Sequence, residues 1–220
     1  AVESDRIAAL AVDAYVRRGE GDLDAVLATG FTHRLGAVDA NRELLTWLRT
    51  HNASVPEADQ VAFHGFDGPF EMTGAPSPVP YVRHLRDYLA LPDEPLPAAG
   101  DTRWDGMAAQ LDAAESIGRT PGAGALRVLA DDLLTLLYAR APRLLSDAPQ
   151  AWERARLHGL TALGLLRYHA VAADPAPAAD RTSRMLAVRD VLMAQHLLDI
   201  RTAERHRGPT LVFAHNRHLQ

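Results

Sequence analysis

The stretch LVFAHNRHLQ, residues 211–220, sets the terms for the rest of the chain. Its apolar run, rich in branched and aromatic side chains, stops at Ala214, and His215 and His218 follow three residues apart. Such a run predicts a buried strand. In an open α/β sheet the polar residues just past the carboxyl end of a strand are where ligands gather. Two other stretches end the same way. AVESD (1–5) reads as the exit of a strand, and QVAFHGFD (60–67) as a short buried strand opening into a glycine-containing loop. The three polar exits, Glu3 to Asp5, His64 to Asp67 and His215 to His218, are therefore expected to meet along one sheet edge.

Between these signals the periodicity is helical. SDRIAALAVDAYVRRG places Ile7, Leu10, Ala11, Ala14 and Tyr15 at helical spacing, with Ser4 or Asp5 as cap and Gly19 as stop. DLDAVLATG predicts a short helix. ANRELLTWLRTHN predicts an amphipathic one with Leu44, Leu45 and Leu48 facing inward. The Pro- and Gly-rich DGPFEMTGAPSPVP then breaks regular structure. Beyond it helices are expected over about 80–90, 104–118, 122–140, 150–172 and 181–206. The fold class that follows is α/β, a sheet domain interrupted by a large helical insertion and predominantly helical overall. Its expected division is 1–77 with 207–220 as the α/β portion and 78–206 as the insertion.

Composition narrows the function. The chain has 220 residues, 47% hydrophobic and 23% charged, with a net charge of −5 and no cysteine. A negative balance argues against nucleic-acid binding, which needs basic charge against phosphates. No run approaches the roughly 18–20 apolar residues that span a bilayer, so no membrane association is expected. The absence of cysteine excludes disulfides and thiolate metal sites and fits a cytoplasmic location. The first residues carry neither Met nor a signal peptide, and three strand signals are few for such a sheet. A segment of a longer protein is expected.

Each candidate for chemistry has a plain reading beside the functional one. His215 and His218 serve as loop histidines bonded to nearby carbonyls, or as acid–base groups titrating near neutrality. Glu3 is a charge near a helix N-terminus, or a carboxylate that orients a histidine. Arg189 and Asp190, in a helix apolar around much of its circumference, form an ion pair, or the guanidinium faces a developing oxyanion. None of the six serines lies in G-x-S-x-G, which removes a nucleophile elbow. GRTPGAG (118–124) lacks the ending of a phosphate loop.

Taken in order, AVESD with VDAYVRRG, NRELLTWLRTHN, VAFHGFD, VRDVLMAQHL and LVFAHNRHLQ resemble the erythromycin esterase family, which includes succinoglycan-biosynthesis homologues. The resemblance spans the chain, although the middle helices match only in character. It implies a cleft of histidines and glutamates that hydrolyses a carboxylic ester or macrolactone, an activity linked to antibiotic resistance. Glu3 matches the family's strand-end glutamate, His215 and His218 its paired histidines, and Arg189 the arginine of its Arg-Asp motif. A histidine in a Gly-Glu-x-x-His motif, upstream of this sequence, would deprotonate water. Glu3 would orient that base, and His215 with Arg189 would stabilise the oxyanion, with His218 in support. Asp5, His64, Asp67, Asn216 and His196 are expected to line the substrate, His196 standing where the family usually has Asn. No metal and no cofactor are expected, and the segment alone should be inactive. Two other readings stay open: a non-hydrolytic relative in carbohydrate biosynthesis, and a divalent-metal hydrolase using His215, His218 and a carboxylate.

Overall fold

The computed structural model describes residues 1–71 and 74–219. In chain order its elements are β1 (Val2–Asp5), α1 (Ala9–Arg18), α2 (Leu23–Thr29), α3 (Asp39–Ser54), β2 (Gly65–Asp67), α4 (Val79–Tyr88), α5 (Met107–Leu111), α6 (Pro121–Ala139), α7 (Ala141–Asp147), α8 (Pro149–Ala172) and α9 (Ala178–Glu204). A 3-10 turn at Asn216–Leu219 follows. The described residues are predominantly helical with a small parallel sheet, and the chain divides into two compact units, Ala1–Met72 with Asp190–Gln220 and Thr73–Arg189. Among the described residues no helix is long and apolar enough to cross a membrane.

In the first unit β1 and β2 pair in parallel, with Val2 opposite Gly65 and Asp5 opposite Asp67. Gly65 permits the approach: a Cβ there would stand 2.6 Å from the carbonyl oxygens of Ser4 and Asp5. Val12 and Val16 of α1 pack with Val26, Leu27, Leu45, Leu48 and Phe63 into one apolar cluster. Leu44 departs from the expected inward face and is exposed, as is Trp47. Asn52 is the polar anchor of α3. Its amide donates to the carbonyls of Val16 and Val61 and accepts the Val61 N–H at 2.8 Å.

Both outer strand signals are shorter than their apolar runs suggest, for a reason visible in the hydrogen bonds. The backbone of 61–63 is already claimed, by Asn52 at Val61 and by the Asp13 carboxylate at the Phe63 N–H, 2.9 Å. Only Gly65–Asp67 remains to pair. On the other side of β1, residues 209–214 make a single parallel bridge, Val2 to Phe213. The Phe213 N–H donates to Ala1 and its carbonyl accepts from Glu3. The four-residue β1 offers no longer edge.

The second unit is a helical assembly. Val82 and Leu85 of α4, Leu126, Ala130 and Leu137 of α6, and Ala155, Ala162 and Leu166 of α8 share its core. Gly159 lets α8 approach closely, since a Cβ there would meet Leu134 Cδ2 at 2.5 Å. The helix expected over 104–118 is instead a 3-10 turn at Thr102–Asp105 and the five-residue α5. It stops at Asp112, whose carboxylate accepts the Ala114 N–H and competes with helical hydrogen bonding. His169 is buried, its Nε2 3.2 Å from the Pro76 carbonyl and its ring edge-on to Trp104.

Candidate functional site

The site is built where β1 and β2 end. The register of β1 against β2 is irregular between Val2 and Asp5, and both Ser4 and Asp5 at its end are buried. Ser4 is buried, and its Oγ accepts the Thr32 N–H at 2.9 Å, while Thr32 Oγ1 accepts the Asp5 N–H. These bonds fasten the loop after α2 to the strand exit and carry His33 in with it. His33 and Arg34 both adopt left-handed backbone, φ 57° and 59°, an uncommon conformation for residues with a side chain. The Glu71 carboxylate holds the His33 N–H at 3.0 Å.

Glu3 accepts the His215 backbone N–H at 2.7 Å through Oε2, and its Oε1 lies 3.3 Å from His218 Nε2. The other ring nitrogen of His218 meets Asp190 Oδ1 at 2.7 Å. His218 is thus an imidazole set between two carboxylates. His215 is exposed, and its own ring accepts the Arg217 N–H within the turn. Of the paired histidines, it is the imidazole of His218 and the backbone of His215 that reach Glu3. Asn216 opens the same turn and is exposed.

Asp67, at 0% exposure, accepts the Gly68 N–H at 2.7 Å and stands 3.3 Å from His33 Nε2. Oxygens of Glu3 and Asp67 and a ring nitrogen of His33 lie within 4.8 Å of one another. Asp5 sits beside them. Burial lifts its carboxyl to about 6, the Asp67 charge adds to the rise, and the Ile7 N–H opposes it. Arg6 donates to the carbonyls of Asp67 and His196 through its backbone N–H and its guanidinium respectively.

Two expected substrate residues lie elsewhere. His196, at 0% exposure, is packed inside, with Nδ1 3.2 Å from the Phe66 carbonyl and Nε2 buried without a partner. Burial chiefly, with the nearby Arg6 charge, depresses it to about 4, so it is a neutral structural histidine. His64 precedes β2 rather than following it. It pairs with Glu204 Oε1 at 2.9 Å and lines a separate cavity of about 750 Å³ with Leu44, Trp47 and Phe213, on the amino side of the strands. Burial lowers its pKa against the pull of Glu204. Arg189 is partly buried and immediately precedes Asp190 on α9.

His33 and Glu71 were not legible in the sequence. No spacing marks them, and the bonds of Thr32 to Ser4 and Asp5 bring His33 to β1.

The model of the family described as Erythromycin esterase matches residues 1–220. The chain belongs to the erythromycin esterase family. Two solved structures share the fold. One, a Bacillus cereus protein, has a TM-score of 0.62 at 17% identity, with 98% of this chain and 48% of that one covered. The other, described as a succinoglycan biosynthesis protein, has a TM-score of 0.54 at 14% identity, with 98% and 47% covered. The chain therefore spans about half the length of either structure. Among curated proteins none matches.

Proposed function

We propose that this erythromycin esterase family chain contributes one wall of a hydrolytic site that cleaves a carboxylic ester or macrolactone by activated water, with antibiotic inactivation as the biological consequence. The observation that carries the reading is His218, set between Glu3 at 3.3 Å and Asp190 at 2.7 Å. An imidazole so held passes a proton between water and the leaving alkoxide with little reorganisation. Glu3 stabilises the imidazolium that forms in passing, and the His215 amide keeps Glu3 in place. The histidine of the family's Gly-Glu-x-x-His motif, which this chain does not contain, would complete the water-activating side. An oxyanion role for Arg189 rests on its place in an apolar helix and on the family resemblance.

The test is hydrolysis of a panel of macrolactones and simple esters by the protein that carries this chain, with Glu3→Gln and His218→Ala beside it. Each substitution should lower the turnover number by about 10²–10⁴-fold. Turnover within about twofold of the parent in both variants would remove the assignment. A second reading, taken from the succinoglycan-biosynthesis description of one structural neighbour, is a carbohydrate-processing relative. Ester inertness of the parent protein, together with binding of acylated oligosaccharides, would favour it.

A further inference from the structure

Two imidazoles of the first unit each lie between two carboxylates. His33 has Glu71 Oε2 3.5 Å from Nδ1 and Asp67 Oδ2 3.3 Å from Nε2. His218 has Asp190 Oδ1 2.7 Å from Nδ1 and Glu3 Oε1 3.3 Å from Nε2. Asp190 is the closer partner of His218, whereas for His33 the inner Asp67 is closer than Glu71, which instead holds the His33 backbone N–H at 3.0 Å. Proteins orient metal-binding histidines through such outer carboxylates.

The inner separations carry the argument. A charge-assisted N–H···O pair closes to about 2.7–2.9 Å, as His218 and Asp190 do. Two ligand atoms sharing one ion through bonds near 2.1 Å stand about 3.0 Å apart at an octahedral angle and about 3.4 Å apart at a tetrahedral one. Both inner pairs, at 3.3 Å, fall within that spacing. The donors of Glu3, His33 and Asp67, all within 4.8 Å of one another, come from β1, the loop after α2 and the end of β2. Small rotations of those side chains bring three oxygen and nitrogen ligands onto one point.

We propose that Glu3, His33 and Asp67 form a site for a divalent transition-metal ion. Glu71 positions His33 from outside through its backbone N–H. A mixed imidazole and carboxylate donor set suits zinc or manganese. The site departs from the expectation that the chain binds no metal, and it does not use the pairing of His215 with His218. It shares Glu3 with the ester-hydrolase reading, and its test, which measures binding rather than turnover, can fail without that reading failing.

The chain is stripped with a chelator and titrated calorimetrically with zinc chloride and, separately, manganese chloride, with manganese uptake also followed by electron paramagnetic resonance. One ion per chain is expected. His33→Ala should weaken binding at least tenfold, and Glu71→Gln by about 10–100-fold. His84→Ala, in the other unit, should leave it unchanged. Absence of saturable uptake of either ion overturns the site. So does binding by both His33→Ala and Glu71→Gln within twofold of the parent. Glu71 is half exposed, so its variant decides the matter if circular dichroism shows that His33→Ala does not fold.

Discussion

At the scale of single residues, His215 and His218 trade the weights that the sequence assigned them. His215 closes the apolar run and draws the eye, yet it serves Glu3 through its backbone N–H. Any residue except proline supplies that group. His215→Ala should therefore cost the full-length protein less than tenfold in turnover, whereas His218→Ala should cost about 10²–10⁴-fold. Steady-state kinetics on one ester substrate orders the two, and an equal loss would return His215 to the chemistry. Asn52 offers a test of stability alone. Its side chain satisfies two carbonyls and one N–H, and it is 1% exposed. Asn52→Ala leaves those groups without their partner, and chemical denaturation should show a loss of about 2–3 kcal/mol.

At the scale of elements, the pairing of β1 with β2 depends on backbone proximity. Gly65→Ala pushes a methyl group against the Ser4 and Asp5 carbonyls, and the strands must separate to admit it. A destabilisation of about 1–3 kcal/mol is expected. Because Glu3 and Asp67 lie on these strands, activity should fall beyond what the melting temperature explains. An unchanged melting temperature would show that the sheet yields freely. The helical periods were readable because burial repeats along each helix: Val12 and Val16, Leu45 and Leu48, Leu126 and Ala130 are all buried. Strand lengths were not, since side chains of α1 and α3 distant in sequence take the hydrogen bonds of residues 61–63. Asp112 likewise ends α5 through a bond to its own backbone neighbourhood, which apolar spacing does not record.

At the scale of the whole molecule, buried histidines set the response to acid. His196, at about 4 in the fold, is neutral there, and an unfolded histidine titrates near 6.5. Between those values the unfolded chain binds a proton that the native chain refuses, so stability falls as pH drops from about 6.5 towards 4. For His196 the loss is of the order of 2–3 kcal/mol. His158 acts in the same direction. Its ring stacks on His84 with centroids 3.7 Å apart, and burial above all, then the charges of His84 and Arg154, lowers it to about 4. The Asp5 carboxyl, raised to about 6, takes up a proton in the same window and acts in the opposite direction. The two histidines outweigh it, so thermal midpoints measured from pH 7.5 to 4.5 should decline. His196→Asn, whose amide can donate to the same Phe66 carbonyl, should flatten the decline. A profile unaffected by that substitution would place the acid sensitivity elsewhere.

Local pattern alone was enough to establish a predominantly helical α/β chain, the positions of most helices, and Glu3, Asp67, His215 and His218 as polar groups at strand exits. These follow from periodic burial and from the abrupt change of polarity at a strand end, both written in neighbouring residues. Only the tertiary structure decided which of those groups meet. It brought His33 to Asp67 through the Ser4–Thr32 bonds, set His218 between Glu3 and Asp190, and buried His196 against Phe66. Contacts across 28 to 212 positions of chain depend on loop paths and backbone hydrogen bonds, and no spacing within the sequence encodes them.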